Sequence, residues 1–250
     1  DSKRKDKKRD QEIACVFEDS GGRFWMGGID GFWRYYKKSE KSERIIPSSS
    51  FHLIEDKEGK LWLSGGKGVF RYNQKDNSAV HYINNEDDPH SLINNSVNAL
   101  LEDRDGNIWI GTNEGISIFS KQTNSFKYIR HFSDEKNTLV SNNITAVLED
   151  AQENIWFGTK KRGLNKWDPG ADQFTLFQNN KETGDIVSNN ISCLYMDKQN
   201  TIWVGLWQGV GFNKYNTKSN TFKRYALSKN SFKRDWYNSF LEDDKGRFLT

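Results

Sequence analysis

Asp103-Arg-Asp-Gly106 has the acidic spacing that opens a calcium-binding loop. Such a loop also needs further oxygen ligands and a bidentate Glu at its end. Here the chain runs directly into the apolar stretch Ile108-Trp-Ile110, and related segments put Glu58 and Gln152 where Asp105 stands. A turn explains the acids better than a metal does. His52, His81, His90 and His131 show no metal-ligand spacing, and no CxxC is present. Ser64-Gly-Gly-Lys-Gly68 is glycine-rich but is not a phosphate loop. Two stretches carry binding chemistry instead. Lys160, Lys161 and Arg162 are adjacent cations suited to a carboxylate or sulfate. Trp207 offers an aromatic face to the apolar side of a sugar, with Gln208 beside it to hydrogen-bond hydroxyls.

The elements that must position these residues are set by a repeat. Ala99-Leu-Leu-Glu-Asp-Arg-Asp-Gly-Asn-Ile-Trp-Ile-Gly-Thr112 returns as Ala146-Val-Leu-Glu-Asp-Ala-Gln-Glu-Asn-Ile-Trp-Phe-Gly-Thr159 and, less closely, from Cys193 to Gly205. Earlier copies run from Phe17 to Gly27 and from Ile54 to Ser64, and a shortened one from Phe240 to Thr250. The repeated Trp25, Trp62, Trp109, Trp156 and Trp203 are spaced by 37 and then three times by 47 residues. A period in that range signals a propeller, solenoid or array.

Each repeat reads as four short strands. In the third copy they are Val97–Asp103, Asn107–Thr112, Ile116–Ser120 and Ser125–Arg130, bounded by Gly, Asn, Asp and Ser. A four-stranded unit repeated every 47 residues is a β-propeller blade. The expected fold is an all-β propeller with about five and a half blades, a fragment of a seven-bladed ring. Blades fall at about 11–47, 48–84, 96–131, 143–178 and 190–226, with a partial blade at 235–250.

Composition agrees. Aromatic residues make up 14% of the 250-residue chain, which suits many short strands. The net charge of +3 is carried entirely by residues 1–10, read as a charged tail or linker. The remainder is balanced, which argues against a nucleic-acid surface. Nothing is apolar over a long enough run to span a membrane.

Aligned blades explain other residues. First strands line the crowded centre of a propeller, so their third position wants small side chains: Cys15, Ala99, Ala146, Cys193 and Ser239, with His52 the exception. The two cysteines are then small core residues on blades too far apart to bridge. The Trp is a packing residue between blades, and the Gly two residues later permits close approach or a bulge. The recurring Asn94-Asn95, Asn142-Asn143 and Asn189-Asn190 are expected to cap structure.

The Asp-x-x-Gly-x-x-Trp spacing resembles the Asp-box of sialidase-like propellers, without the leading Ser/Thr and without a recognisable arginine cluster or Tyr nucleophile. The fuller pattern resembles the two-component regulator propeller repeat. Blades three and four carry it from Ser96 to Ile116 and from Asn143 to Leu164; blade five departs at Met196 and Leu206. The resemblance implies a periplasmic sensor region of a hybrid two-component system of the Bacteroidetes type. It also implies an oligosaccharide input, no cofactor, no catalysis in this chain, and a histidine kinase in a longer parent. Further propeller and signalling domains, and homodimerisation of that parent, are among the expectations.

In a four-strand meander, loops between second and third strands share a face with the inter-blade connections. These loops vary while the scaffold does not, which is how a propeller carries function. The expected ligand site lies between blades four and five: Trp207 and Gln208, with Lys160, Lys161 and Arg162, and with Asn113 and Glu114 at the same loop position on blade three. An interaction scaffold and a carbohydrate-active enzyme are the alternatives.

Overall fold

The computed structural model describes residues 12–133, 137–207, 211–225, 241–243 and 248–249. Residues 1–10, Gln208 and Ser239 lie outside the described residues, as does most of the expected partial blade. Five four-stranded antiparallel sheets follow one another. Blade one is β1 (Ile13–Glu18), β2 (Phe24–Gly28), β3 (Gly31–Tyr36) and β4 (Lys41–Ile46). Blade two is β5 (His52–Glu55), β6 (Lys60–Gly65), β7 (Gly68–Asn73) and β8 (Ser78–Tyr82). Blade three is β9 (Val97–Glu102), β10 (Ile108–Thr112), β11 (Gly115–Ser120) and β12 (Ser125–Ile129). Blade four is β13 (Ile144–Glu149), β14 (Ile155–Thr159), β15 (Gly163–Asp168) and β16 (Gln173–Phe177). Blade five is β17 (Ile191–Met196), β18 (Ile202–Leu206), β19 (Phe212–Asn216) and β20 (Thr221–Tyr225). A two-stranded sheet, β21 (Leu241–Glu242) with β22 (Phe248–Leu249), comes after it. Strand order within each blade is sequential, and first strands of neighbouring blades lie beside each other. The all-β propeller expected from the repeat is the fold observed.

The repeated Asp is more than a turn residue. Asp103 accepts from the backbone N–H and Nδ2 of Asn107 (2.7 and 2.9 Å) and, through Oδ2, from the indole N–H of Trp109 at 2.8 Å. Asp19–Trp25, Asp56–Trp62, Asp150–Trp156 and Asp197–Trp203 repeat the indole contact at 2.7–2.9 Å. All five Asp are buried. Each carboxylate therefore closes the first hairpin and orients the Trp six residues on, satisfying a buried donor that would otherwise be unpaired. Its oxygens serve this lock, so the Asp has a structural role in the hairpin. The fourth residue of each turn takes positive φ: Gly22, Gly59 and Gly106 in blades one to three, Glu153 and Asn200 in blades four and five.

The Glu before the Asp works outward. Glu55 Oε2 accepts the backbone N–H of Ser20 in blade one at 2.6 Å, and Glu102 accepts that of Lys57 in blade two at 2.8 Å. Glu149 holds the same sequence position in blade four, and between blades three and four Arg104 Nη1 donates to Glu153 Oε1 at 2.5 Å. Blade five places Met196 there, so its junction with blade four lacks this grip.

The core sits between blades. Trp25 clusters with Leu61, Leu63 and Tyr72 of blade two; Trp62 with Ile108, Ile110 and Phe119 of blade three. Trp109 meets Ile144 and Phe157 of blade four, and Trp156 meets Ile191, Val204 and Tyr215 of blade five. The Gly two residues beyond the Trp admits the next blade. A Cβ on Gly111 would stand 2.7 Å from Cγ2 of Ile144, and one on Gly158 would stand 2.7 Å from Cγ2 of Ile191. First strands also carry a bulge at this level, between Ile144 and Ala146 and between Ile191 and Cys193. Ala99, Ala146 and Cys193 are buried in the inner column, and both cysteines are free thiols. His52 is open to solvent yet surrounded by protein, and loss of hydration pushes its pKa down.

Candidate functional site

The loops between second and third strands are pinned at both ends. At one end the backbone N–H of Asn113, Lys160 and Trp207 bonds the carbonyl of Ser96, Asn143 and Asn190, the residues leading into the same blade, at 3.1–3.2 Å. At the other end Gly68, Gly115 and Gly163 bond the carbonyls of Asn95, Asn142 and Asn189, which lead into the next blade, at 2.7–2.8 Å. The side chains of those three asparagines accept the backbone N–H of Asn84, His131 and Asn179 and fold the connections back. Loops and connections thus form one continuous face, built on main-chain bonds that leave side chains free to differ.

On that face the expected site residues divide by blade. Lys160, Lys161 and Arg162 are exposed, with Lys161 at φ 69°, in a loop one residue longer than its blade-three counterpart. Among the described residues none of the three forms an ion pair. Trp207 is half-buried. Its indole N–H donates to the Ile191 carbonyl at 2.7 Å, and Thr145 Oγ1 of blade four donates to the same oxygen at 2.9 Å. The indole N–H therefore already has a partner within blade five, and Thr145 joins the same carbonyl from blade four. Gln208 is outside the described residues.

Asn113 and Glu114 are exposed on blade three. Asn113 Oδ1 accepts Nδ2 of Asn98 at 2.9 Å and of Asn143 at 3.4 Å, and Asn98 also donates to the Ile144 carbonyl at 2.9 Å. This carboxamide cluster joins residues that sequence position kept apart; only the loop position of Asn113 signalled it. Glu114 lies instead in a polar cavity of about 440 Å³ shared with the connection before blade three and the end of β12. Among the described residues no group of three His, Cys, Asp or Glu could hold a metal ion, and no helix is long and apolar enough to cross a membrane.

The comparisons accord with this geometry. No curated protein matches the sequence. Among solved structures, the extracellular domain of the putative hybrid two component system BT3049 from B. thetaiotaomicron superposes with a TM-score of 0.74 at 20% identity, covering 95% of this chain and 32% of that one. The chain therefore spans about a third of that domain. PorZ of Porphyromonas gingivalis, a surface component of the type-IX secretion system, gives 0.68 at 16% identity over 93% of this chain and 36% of its own. Virginiamycin B lyase from Staphylococcus aureus gives 0.68 at 13% over 89% and 72%. Identities this low establish the fold alone, and an enzyme among them says nothing of catalysis here. The profile of the Two component regulator propeller family matches residues 91–114, 138–161 and 185–208. Each match runs from the connection before a blade, through its Asp–Trp lock, into the loop after the second strand, so that blades three to five carry the two-component regulator propeller repeat.

Proposed function

We propose that this chain is a sensor propeller of an extracytoplasmic two-component regulator, that it binds an oligosaccharide on the loop face, and that a histidine kinase elsewhere in the signalling protein reads the result. The observation that carries the reading is the contrast between a lock repeated in five blades and the cationic Lys160–Arg162 loop, without an ion pair among the described residues, beside the junction where Trp207 is held. The fixed scaffold presents three cations to a carboxylate or sulfate and a partly open indole ring to an apolar sugar face. Signalling then requires that the sugar bind one domain arrangement more tightly than another, since equal binding shifts nothing. The family repeat and the BT3049 superposition support the sensor role and the compartment.

A thermal-shift series with neutral and acidic oligosaccharides tests this. A ligand that binds only the folded state raises the melting temperature with concentration. Trp207→Ala is expected to weaken the effect of the active sugar, and unchanged affinity in that variant overturns the site. Ile29 and Phe51, 55% and 38% exposed on blades one and two, favour a second reading as a protein-docking scaffold. Capture of a protein partner with no sugar response would establish it.

A further inference from the structure

The cavity at blade three is lined by charges that form no ion pair among the described residues. Its wall is the connection from Asn84 to Asn94, and that connection is rigid by construction. The backbone N–H of Asn85 donates to Ser91 Oγ, which donates back to the Asn85 carbonyl, both at 2.9 Å. Asp88 N–H reaches the Asn85 carbonyl and Ser91 N–H the Asp88 carbonyl, each at 3.0 Å. Leu92 and Ile93 are buried beneath it, with the Ile93 N–H bonded to Ser117 Oγ of β11 at 3.0 Å. Tyr128 hydroxyl donates to the Ser91 carbonyl and ties β12 to the same loop. The wall's own polar needs are thus met internally.

Glu86, Glu114 and Arg130 line the space, together with Asp88, whose Oδ1 accepts the His90 N–H at 2.9 Å, and Asn94, whose Oδ1 accepts the Ser96 N–H at 2.8 Å and whose Nδ2 is a further donor. Among the described residues, none of the three carboxylates nor Arg130 belongs to an ion pair. At about 440 Å³, the cavity lies within the range of small-ligand sites. Carboxylates accept from hydroxyls or an amine, and Arg130 and Asn94 donate to ring or hydroxyl oxygens. Three carboxylates against one guanidinium repel an anion.

We infer that this cavity is a further sugar subsite of the loop face, and that it takes a neutral or amino-bearing unit in preference to a uronic or sulfated one. The inference rests on the oligosaccharide reading above and fixes a specificity that the Lys160–Arg162 loop alone would reverse.

The test is calorimetric titration of the whole chain with glucose, glucosamine and glucuronate oligosaccharides of equal length. Glucosamine and glucose oligomers are expected to bind more tightly than the glucuronate oligomer. Arg130→Ala and Glu114→Gln are each expected to weaken the better ligand about tenfold, the loss of one well-placed polar contact. Both residues are exposed, and circular dichroism confirms that the variants fold. Glu114→Gln is also expected to narrow the discrimination against glucuronate. A sugar that binds both variants and the native chain equally overturns the subsite and leaves the sensor reading intact. Tighter binding of glucuronate, lost in a Lys160→Ala/Lys161→Ala/Arg162→Ala variant, also overturns it. No binding of any oligomer to the native chain removes the oligosaccharide reading and the subsite with it.

Discussion

Asp103 and Asp105 stand two residues apart in one turn and are expected to behave very differently when replaced by alanine. Asp103 is 8% exposed and holds the indole N–H of Trp109, itself 4% exposed, together with two nitrogens of Asn107. Asp105 is exposed. Removing the Asp103 carboxylate strands a buried indole donor, at about 1–3 kcal/mol, and a partly hydrated backbone N–H, at about 1 kcal/mol or less. The expected loss is about 1–4 kcal/mol, or roughly 2–16 °C in melting temperature for a domain of this size. Asp105→Ala is expected to stay within about 0.5 kcal/mol. Asp103→Asn should fall between, because one oxygen still serves Asn107 while the other becomes an amide facing the indole. Urea unfolding followed by tryptophan fluorescence gives the midpoints, and an unchanged slope shows that the same surface unfolds in each variant. Equal midpoints for the two alanine variants would refute the lock.

Gly111→Ala puts a methyl 2.7 Å from Ile144 Cγ2 and should cost about 1–3 kcal/mol. Combined with Ile144→Ala it should cost less than the sum of the two single changes, as measured by a double-mutant cycle in urea. Met196→Glu restores the inter-blade acceptor missing from blade five and should raise stability by roughly 0.5–1 kcal/mol, read as a higher urea midpoint. For Asp56, burial works to raise the carboxyl pKa, but the Trp62 indole, the Lys60 backbone N–H and the Lys121 ammonium outweigh it and hold it below the ordinary value. In Asp19 the same opposition is won by Trp25 and Arg23. A depressed folded pKa gives stabilisation that is complete above the unfolded value of about 3.9 and is lost as pH falls through the folded one. The urea midpoint should therefore drop below about pH 4, less steeply in an Asp19→Asn/Asp56→Asn variant. Burial pushes the Cys193 thiol up to about 11, so alkylation of the native protein at pH 8 should leave it unmodified, as mass spectrometry of the digest would show.

Blades were legible because a propeller repeats its packing residues at a fixed interval. Trp109 and Gly111 recur with Trp156 and Gly158, and strand periodicity places them on the buried face. The Asp–Trp lock was hidden within that pattern, because a turn residue and a strand residue six positions apart meet only once the hairpin is folded. The Glu grip was harder still to read. Its donors are backbone N–H groups on Ser20 and Lys57, whose side chains share nothing. Loop position alone pointed to Asn113 and Glu114, but the cavity around Glu114 draws Asp88 from one connection and Arg130 from a strand end. No periodic signal links those residues. For Trp207, a loop position suggested a free side chain, whereas its N–H is spent on the Ile191 carbonyl.

The grip between blades has a consequence for how such a chain changes over time. Its acceptor is a carboxylate, but its donor is the main chain, which every residue except proline supplies. Turn side chains can therefore change, as from serine to lysine, without loosening the contact. The boundary of the self-contained module then falls inside the Glu-Asp pair: Asp serves its own blade, and Glu serves the one before. A duplicated or transplanted blade brings its own lock and finds a ready donor on any neighbour. Selection can then act on each loop separately, with the ring beneath it left unchanged.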